Sequence, residues 1–166
     1  SKGDPTRRSG PFPGDDPHLE KSGLFLYLNM GKKSITLNLE SEQGRDIIAL
    51  LIKDVDALIE NFAPGVLSSL GLGFASLSAI NPRLVMTSIT PFGQTGPYRD
   101  FKSTNLVSFA MGGQMSLTGD PDREPLVNGG SQAEYQAGLN GFSSTAIATL
   151  GAKLTGIGQH IDISTM

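Results

Sequence analysis

The feature that most constrains the fold is a short apolar run, Ala57-Leu58-Ile59, which passes straight into Glu60-Asn61-Phe62-Ala63-Pro64-Gly65 and then into a helical pattern. A buried strand that ends on a Pro-Gly turn and opens a helix is the elementary step of an α/β fold. The rest of the chain repeats that step. Ser41, with Gly44 three residues on, opens a helix carrying Ile47, Ile48, Leu50, Leu51 and Ile52, which reads as well buried and runs to about Lys53. Short helices follow near Val66–Leu70 and Phe74–Ile80, the second stopped at Asn81-Pro82, because proline disfavours helical geometry in the residue before it. Leu84–Ile89 reads as a strand, Leu106–Met111 as a helix, about Ala133 to Lys153 as a longer helix, and Gln159–Ile163 as a last strand.

This order implies an α/β class with a mainly parallel, Rossmann-like sheet and flanking helices. Three further readings concern local pattern. Residues 1–23, with four Pro and four Gly, read as an extended loop. Ser34-Ile35-Thr36-Leu37-Asn38-Leu39 alternates polar and apolar, the period of a strand. On the long helix Tyr135, Leu139, Phe142, Ala146 and Leu150 form an apolar stripe, while Ala137, Gly138, Gly141 and Ser144 leave room for another backbone to approach.

Composition narrows the function classes. A net charge of −3 with scattered Lys and Arg argues against nucleic acid and against anionic membrane. The absence of cysteine excludes disulfides and thiolate metal sites. The least charged run, Tyr135 to Ala152, is too polar and too rich in glycine to span a bilayer. The expectation is a soluble, cytoplasmic protein. A chain that begins Ser1-Lys2-Gly3 and stops at Met166, just after a strand, reads as an internal piece of a larger domain.

Two places invite chemistry. Ligands of open parallel sheets bind outside the carboxyl ends of the strands, which is where Asn61-Phe62-Ala63-Pro64-Gly65 falls; the competing reading is a turn whose residues only satisfy backbone geometry. Gly129-Gly130-Ser131-Gln132-Ala133-Glu134 opens the long helix. Ser131-x-x-Glu134 has the spacing of a capping box, in which the glutamate bonds back to the first amide. On the residues alone the cap is the stronger reading. His18 and His160 lack a second ligand or carboxylate at useful spacing, and read as a loop residue and a strand residue.

Several stretches, in order along the chain, resemble the family III CoA-transferases (the CaiB/BaiF family). They are Gly3-Asp4-Pro5-Thr6-Arg7, Asn29-Met30-Gly31-Lys32-Lys33-Ser34-Ile35, residues 55–67, Leu70-Gly71-Leu72-Gly73-Phe74, Ile80–Val85, Gly93–Tyr98 and Thr155–Gln159. The resemblance implies part of the large, CoA-binding domain of an enzyme that moves CoA between carboxylic acids without metal. The family's first β-α-β unit and its small domain are missing from the match. It implies acyl-CoA and carboxylates as small-molecule substrates, and a homodimer whose chains interlock. By resemblance, CoA is contacted by Leu37, Asn38, Leu39 and Glu40, by Asn61, Phe62 and Ala63, and by Lys102, Ser103, Thr104 and Asn105. Lys102 can serve a CoA phosphate as a point charge, or be a solvated loop lysine.

The family's nucleophilic aspartate corresponds to Glu134, whose carboxylate stands one methylene further out. An arginine common in the family one turn after the Pro-Gly is Ser69 here. Related α-methylacyl-CoA racemases use a histidine at the position of Thr104, which cannot abstract an α-proton, and that counts against a racemase. A CoA-ester-binding protein with little turnover, or a piece active only when complemented, completes the alternatives.

Overall fold

The computed structural model describes residues 3–166, so the first two residues of the expected N-terminal loop lie outside the described residues. The chain divides into two compact units, one ending at Leu37 and the other running Asn38–Met166.

The first unit is built around a hydroxyl. Ser22 is fully buried, and its Oγ lies 2.8 Å from the carbonyl of Thr6 and 2.5 Å from that of Ser9, while accepting from the amide of Phe25 at 3.1 Å. The last bond caps helix α1 (Gly23–Asn29). Two short 3-10 turns, Pro5–Arg8 and Pro13–Asp15, interrupt what the composition suggested was a plain extended loop. Asp4 starts the first turn by accepting from the amide of Thr6 at 2.8 Å and from its hydroxyl at 2.6 Å. Arg7 bonds Glu20 at 2.8 Å, and its guanidinium lies 3.8 Å above the ring of Phe25. The strand expected over 34–39 is absent: residues 32–38 carry no regular structure and Ile35 is 65% exposed. Alternation makes a strand only where a neighbour offers a hydrogen-bond ladder, and no described strand pairs with this one.

In the second unit three strands, β1 (Ala57–Glu60), β2 (Val85–Thr90) and β3 (His160–Ser164), form a wholly parallel sheet in the order β1-β2-β3. Helices α2 (Glu42–Ile52), α3 (Val66–Ser69) and α4 (Phe74–Ile80) surround one apolar cluster, made of Ile52, Leu67, Leu72, Leu77, Leu84 and Met86. Asn81, after α4, ties this layer together by donating to the carbonyls of Ile52 and Val55 at 3.0 Å each. Helix α2 starts as expected, with Ser41 accepting from the amide of Gly44 at 3.1 Å. Only glycine fits at position 44, since a Cβ would lie 1.9 Å from the carbonyl oxygen of Asn38. The helix is less buried than its apolar content implies: Ile47, Leu50 and Leu51 are exposed, and Gly44 and Ile52 face inward.

Helix α5 (Asn105–Met111) precedes the long helix α6 (Gln132–Thr155), which covers the sheet's other face with its small side. Ala148 and Ala152 pack on Val85, and Gly141 lets Ile89 approach to what would be 3.0 Å from a Cβ. Thr145 donates to the Gly141 carbonyl at 2.6 Å, so the 2.6 Å contact with Thr87 carries the Thr87 proton. The large stripe instead points outward, with Phe142 68% exposed beside exposed Leu139 and Leu150. The helix ends at Gly156 in the left-handed conformation. No helix among the described residues is long and apolar enough to cross a membrane.

Candidate active site

The carboxyl ends of β1 and β2 open into a cleft of about 380 Å³. Ile59, Glu60 and Asn61 come from β1 and its turn, and Ile89, Thr90 and Pro91 from the end of β2. Ser103, Thr104 and Ser108 come from the start of α5, Glu134 and Gly138 from the first turns of α6, and Thr165 from beyond β3. This is the edge where an open parallel sheet holds a ligand.

The turn after β1 is organised by Glu60, which is only 9% exposed and accepts from the amide of Phe62 at 2.8 Å through Oε2. That bond fixes the chain direction just past the strand and leaves Asn61 at the cleft. Gly65, at φ 85°, lets the chain reverse into α3. Across the cleft, Thr104 caps α5 by accepting from the amide of Val107 at 3.4 Å, and the hydroxyls of Ser103 and Ser108 lie 2.9 Å apart.

Glu134 sits in the first turn of the 24-residue α6, exposed, and no hydrogen bond or ion pair among the described residues engages its carboxylate. The positive end of the helix dipole lies there, which favours an anion. The capping box suggested by Ser131-x-x-Glu134 does not form: Ser131 is the N-cap residue, but its side chain makes no capping bond. The capping acceptor is Asn105, whose Oδ1 takes the amide of Ala133 at 3.0 Å while its Nδ2 donates to the carbonyl of Gly130 at 3.3 Å.

Of the residues singled out from sequence, Asn61, Ser103, Thr104 and Glu134 therefore share one cleft, and Asn105 bonds the turn that carries Glu134. Phe62 and Ala63 are exposed on the turn beside it, and Lys102 is exposed on the loop just before Ser103. Asn38, Leu39 and Glu40 lie apart from the cleft lining, in the turn before α2, where Arg45 donates to the carbonyls of Leu39 at 3.2 Å and Glu40 at 2.7 Å. Leu37 belongs to the other unit. Ser69 turns inward on its own helix, donating to Val66 at 2.7 Å. His160 is held by Ser88, with Nε2 2.9 Å from Oγ, and stacks on Phe74.

Sequence reasoning missed Thr90. It is 2% exposed, lines the cleft, and its hydroxyl has no partner among the described residues. The strand read from the sequence stopped one residue short of it, at Ile89, whereas the observed strand ends on it.

The family model described as CoA-transferase family III matches residues 1–166. The acetyl-CoA:oxalate CoA-transferase of Acetobacter aceti is 41% identical over 163 residues, which is 98% of this chain and 41% of that protein. The succinate–glutarate CoA-transferase of Agrobacterium fabrum is 37% identical over 166 residues, 99% of this chain and 42% of that protein. A CaiB/BaiF family protein from Brucella suis has a crystal structure that superposes with a TM-score of 0.87 at 40% identity, over 99% of this chain and 43% of that one. The chain thus spans about two fifths of the length of these relatives.

Proposed function

Because this chain belongs to CoA-transferase family III, we propose that it forms part of the large domain of an enzyme that transfers CoA between carboxylic acids, with Glu134 as the nucleophile. One observation carries the assignment: a carboxylate with no bonding partner among the described residues lines the same cleft as Asn61, Ser103 and Thr104, at the positive end of a long helix.

In the proposed cycle a Glu134 oxygen attacks the thioester carbonyl of the donor acyl-CoA, giving a mixed anhydride and releasing CoA thiolate. The thiolate attacks the Glu134 carbonyl of that anhydride, so the donor acid leaves as carboxylate and Glu134 becomes a CoA thioester. The acceptor carboxylate attacks this thioester and expels the thiolate again. The thiolate then takes the acceptor's acyl group and returns Glu134 as carboxylate. Every bond broken is matched by one formed, and no proton or electron is required from outside. Amides of the first turn of α6 are donors for the oxyanions that develop.

CoA is accordingly a substrate, held on this reading by Asn61 and its turn and by the 102–104 segment, with Lys102 free to meet a phosphate. The same reading places the protein in the cytoplasm as an interlocked homodimer, for which the exposed apolar side of α6 supplies an uncovered surface. The names of the relatives suggest a first panel of probes: acetyl-CoA and succinyl-CoA as donors, oxalate and glutarate as acceptors. Incubating the full-length protein with a donor and hydroxylamine should leave a hydroxamate on Glu134, detected by peptide mass spectrometry. Glu134→Gln should abolish both label and transfer. Unlabelled Glu134 in protein that turns over would end the assignment.

A further inference from the structure

The start of α6 is held from outside the helix. A helix opens with backbone amides that have no partner within it, and here the residue in the capping position leaves them unserved. Asn105, 28 residues before Ala133, supplies the acceptor at 3.0 Å, and the same amide group donates to Gly130 at 3.3 Å. One planar side chain thus grips the chain on both sides of Ser131. An asparagine head carries an acceptor and a donor together, whereas a carboxylate could serve only Ala133 and a serine would not reach as far.

Asn105 is itself anchored as the first residue of α5, whose start is capped by Thr104 and whose Ser108, 3% exposed, meets Ser103. The loop that forms one wall of the cleft and the turn that carries Glu134 are therefore one hydrogen-bonded body. Glu134, the residue after Ala133, is not folded back onto the Ser131 amide as a capping-box glutamate would be, and its carboxylate lines the cleft.

We propose that Asn105 is a positioning residue that caps α6 in trans from α5, thereby fixing the placement of the turn that carries the Glu134 carboxylate. The functional part of this rests on Glu134 being the nucleophile; the brace itself does not. A displacement near 1 Å at a reacting group costs on the order of a hundredfold in rate, so loss of the brace should act on turnover more than on binding.

The test compares Asn105→Ala, which removes both bonds, with Asn105→Asp, which keeps the acceptor for Ala133 and loses the donor to Gly130. In the full-length protein, amide hydrogen exchange over residues 131–135 should accelerate in Asn105→Ala and return most of the way in Asn105→Asp. With acetyl-CoA or succinyl-CoA as donor, kcat should fall roughly tenfold to a hundredfold in Asn105→Ala with little change in KM. Asn105→Asp should recover most of that kcat. Exchange that is unaltered in Asn105→Ala would overturn the brace. A raised KM with kcat preserved would make Asn105 a CoA contact and overturn its positioning role. Glu134→Gln separates the premise: if it still transfers CoA while Asn105→Ala still loosens residues 131–135, the nucleophile assignment fails and the brace survives.

Discussion

Ser22 and Leu84 are both sealed from water, yet one is buried for its hydroxyl and the other for its carbons. That contrast separates the two units. Up to Leu37 the chain is held by directed bonds: Ser22 to Thr6, Ser9 and Phe25, Asp4 to Thr6, and Arg7 to Glu20. Its helix α1 leaves Leu26, Tyr27 and Leu28 exposed. From Asn38 onward a parallel sheet is covered on both faces, and apolar packing supplies the cohesion, with Asn81 and the Thr87–Thr145 pair as polar ties within it. Packing is non-directional and tolerates compensation, whereas a buried hydroxyl that serves three backbone groups can be replaced by nothing of the same size.

The comparison can be broken by mutation. Leu84→Ala should destabilise the second unit by about 2–5 kcal/mol, the range for emptying a closed core site, read from the midpoint of denaturant unfolding. Ser22→Ala should cost about 1–3 kcal/mol, because two carbonyls and an amide lose their shared partner. Its effect should be confined to exchange protection in residues 4–29; an equal loss of protection in the sheet would show that the two units do not differ as described. The smallest effect belongs to Asp4. The hydroxyl and then the amide of Thr6, helped by Arg7 and Lys32, hold its carboxyl below the ordinary value of 3.8. A lowered value means the charged form favours the folded turn, so its contribution is complete above pH 3.8 and is lost as the pH falls through the folded value. Asp4→Asn should abolish that acid dependence in the exchange of the Thr6 amide and leave the sheet unaffected.

The same contrast explains what could be read from the residues alone. In the second unit β1, α4, β2, α5, α6 and β3 were legible to within about two residues, since runs such as Leu84–Ile89 and breakers such as Asn81-Pro82 act locally. In the first unit α1 was not legible. Its cap Ser22 matters because carbonyls 13 and 16 residues away converge on it, and no local pattern records that. The 34–39 alternation misled for the opposite reason: the pattern was local, but no strand among the described residues pairs with it. In the cleft, the roles open to Glu134 were visible as a pair of alternatives, cap or free carboxylate. The structure leaves the box unformed, and the acceptor that serves the helix start is Asn105, which only the tertiary structure brings to Ala133.

Helix α6 has a consequence for how its sequence can drift. Its small side lies against the sheet and its large side faces away, so the usual equation of bulk with intolerance is inverted along these 24 residues. A saturation scan of α6 should find Ala137, Gly141 and Ala148 unable to grow, while Leu139, Phe142 and Leu150 accept polar replacements. Any residue of that outer row that refuses such replacements in the whole protein would mark where a further surface comes to rest on it.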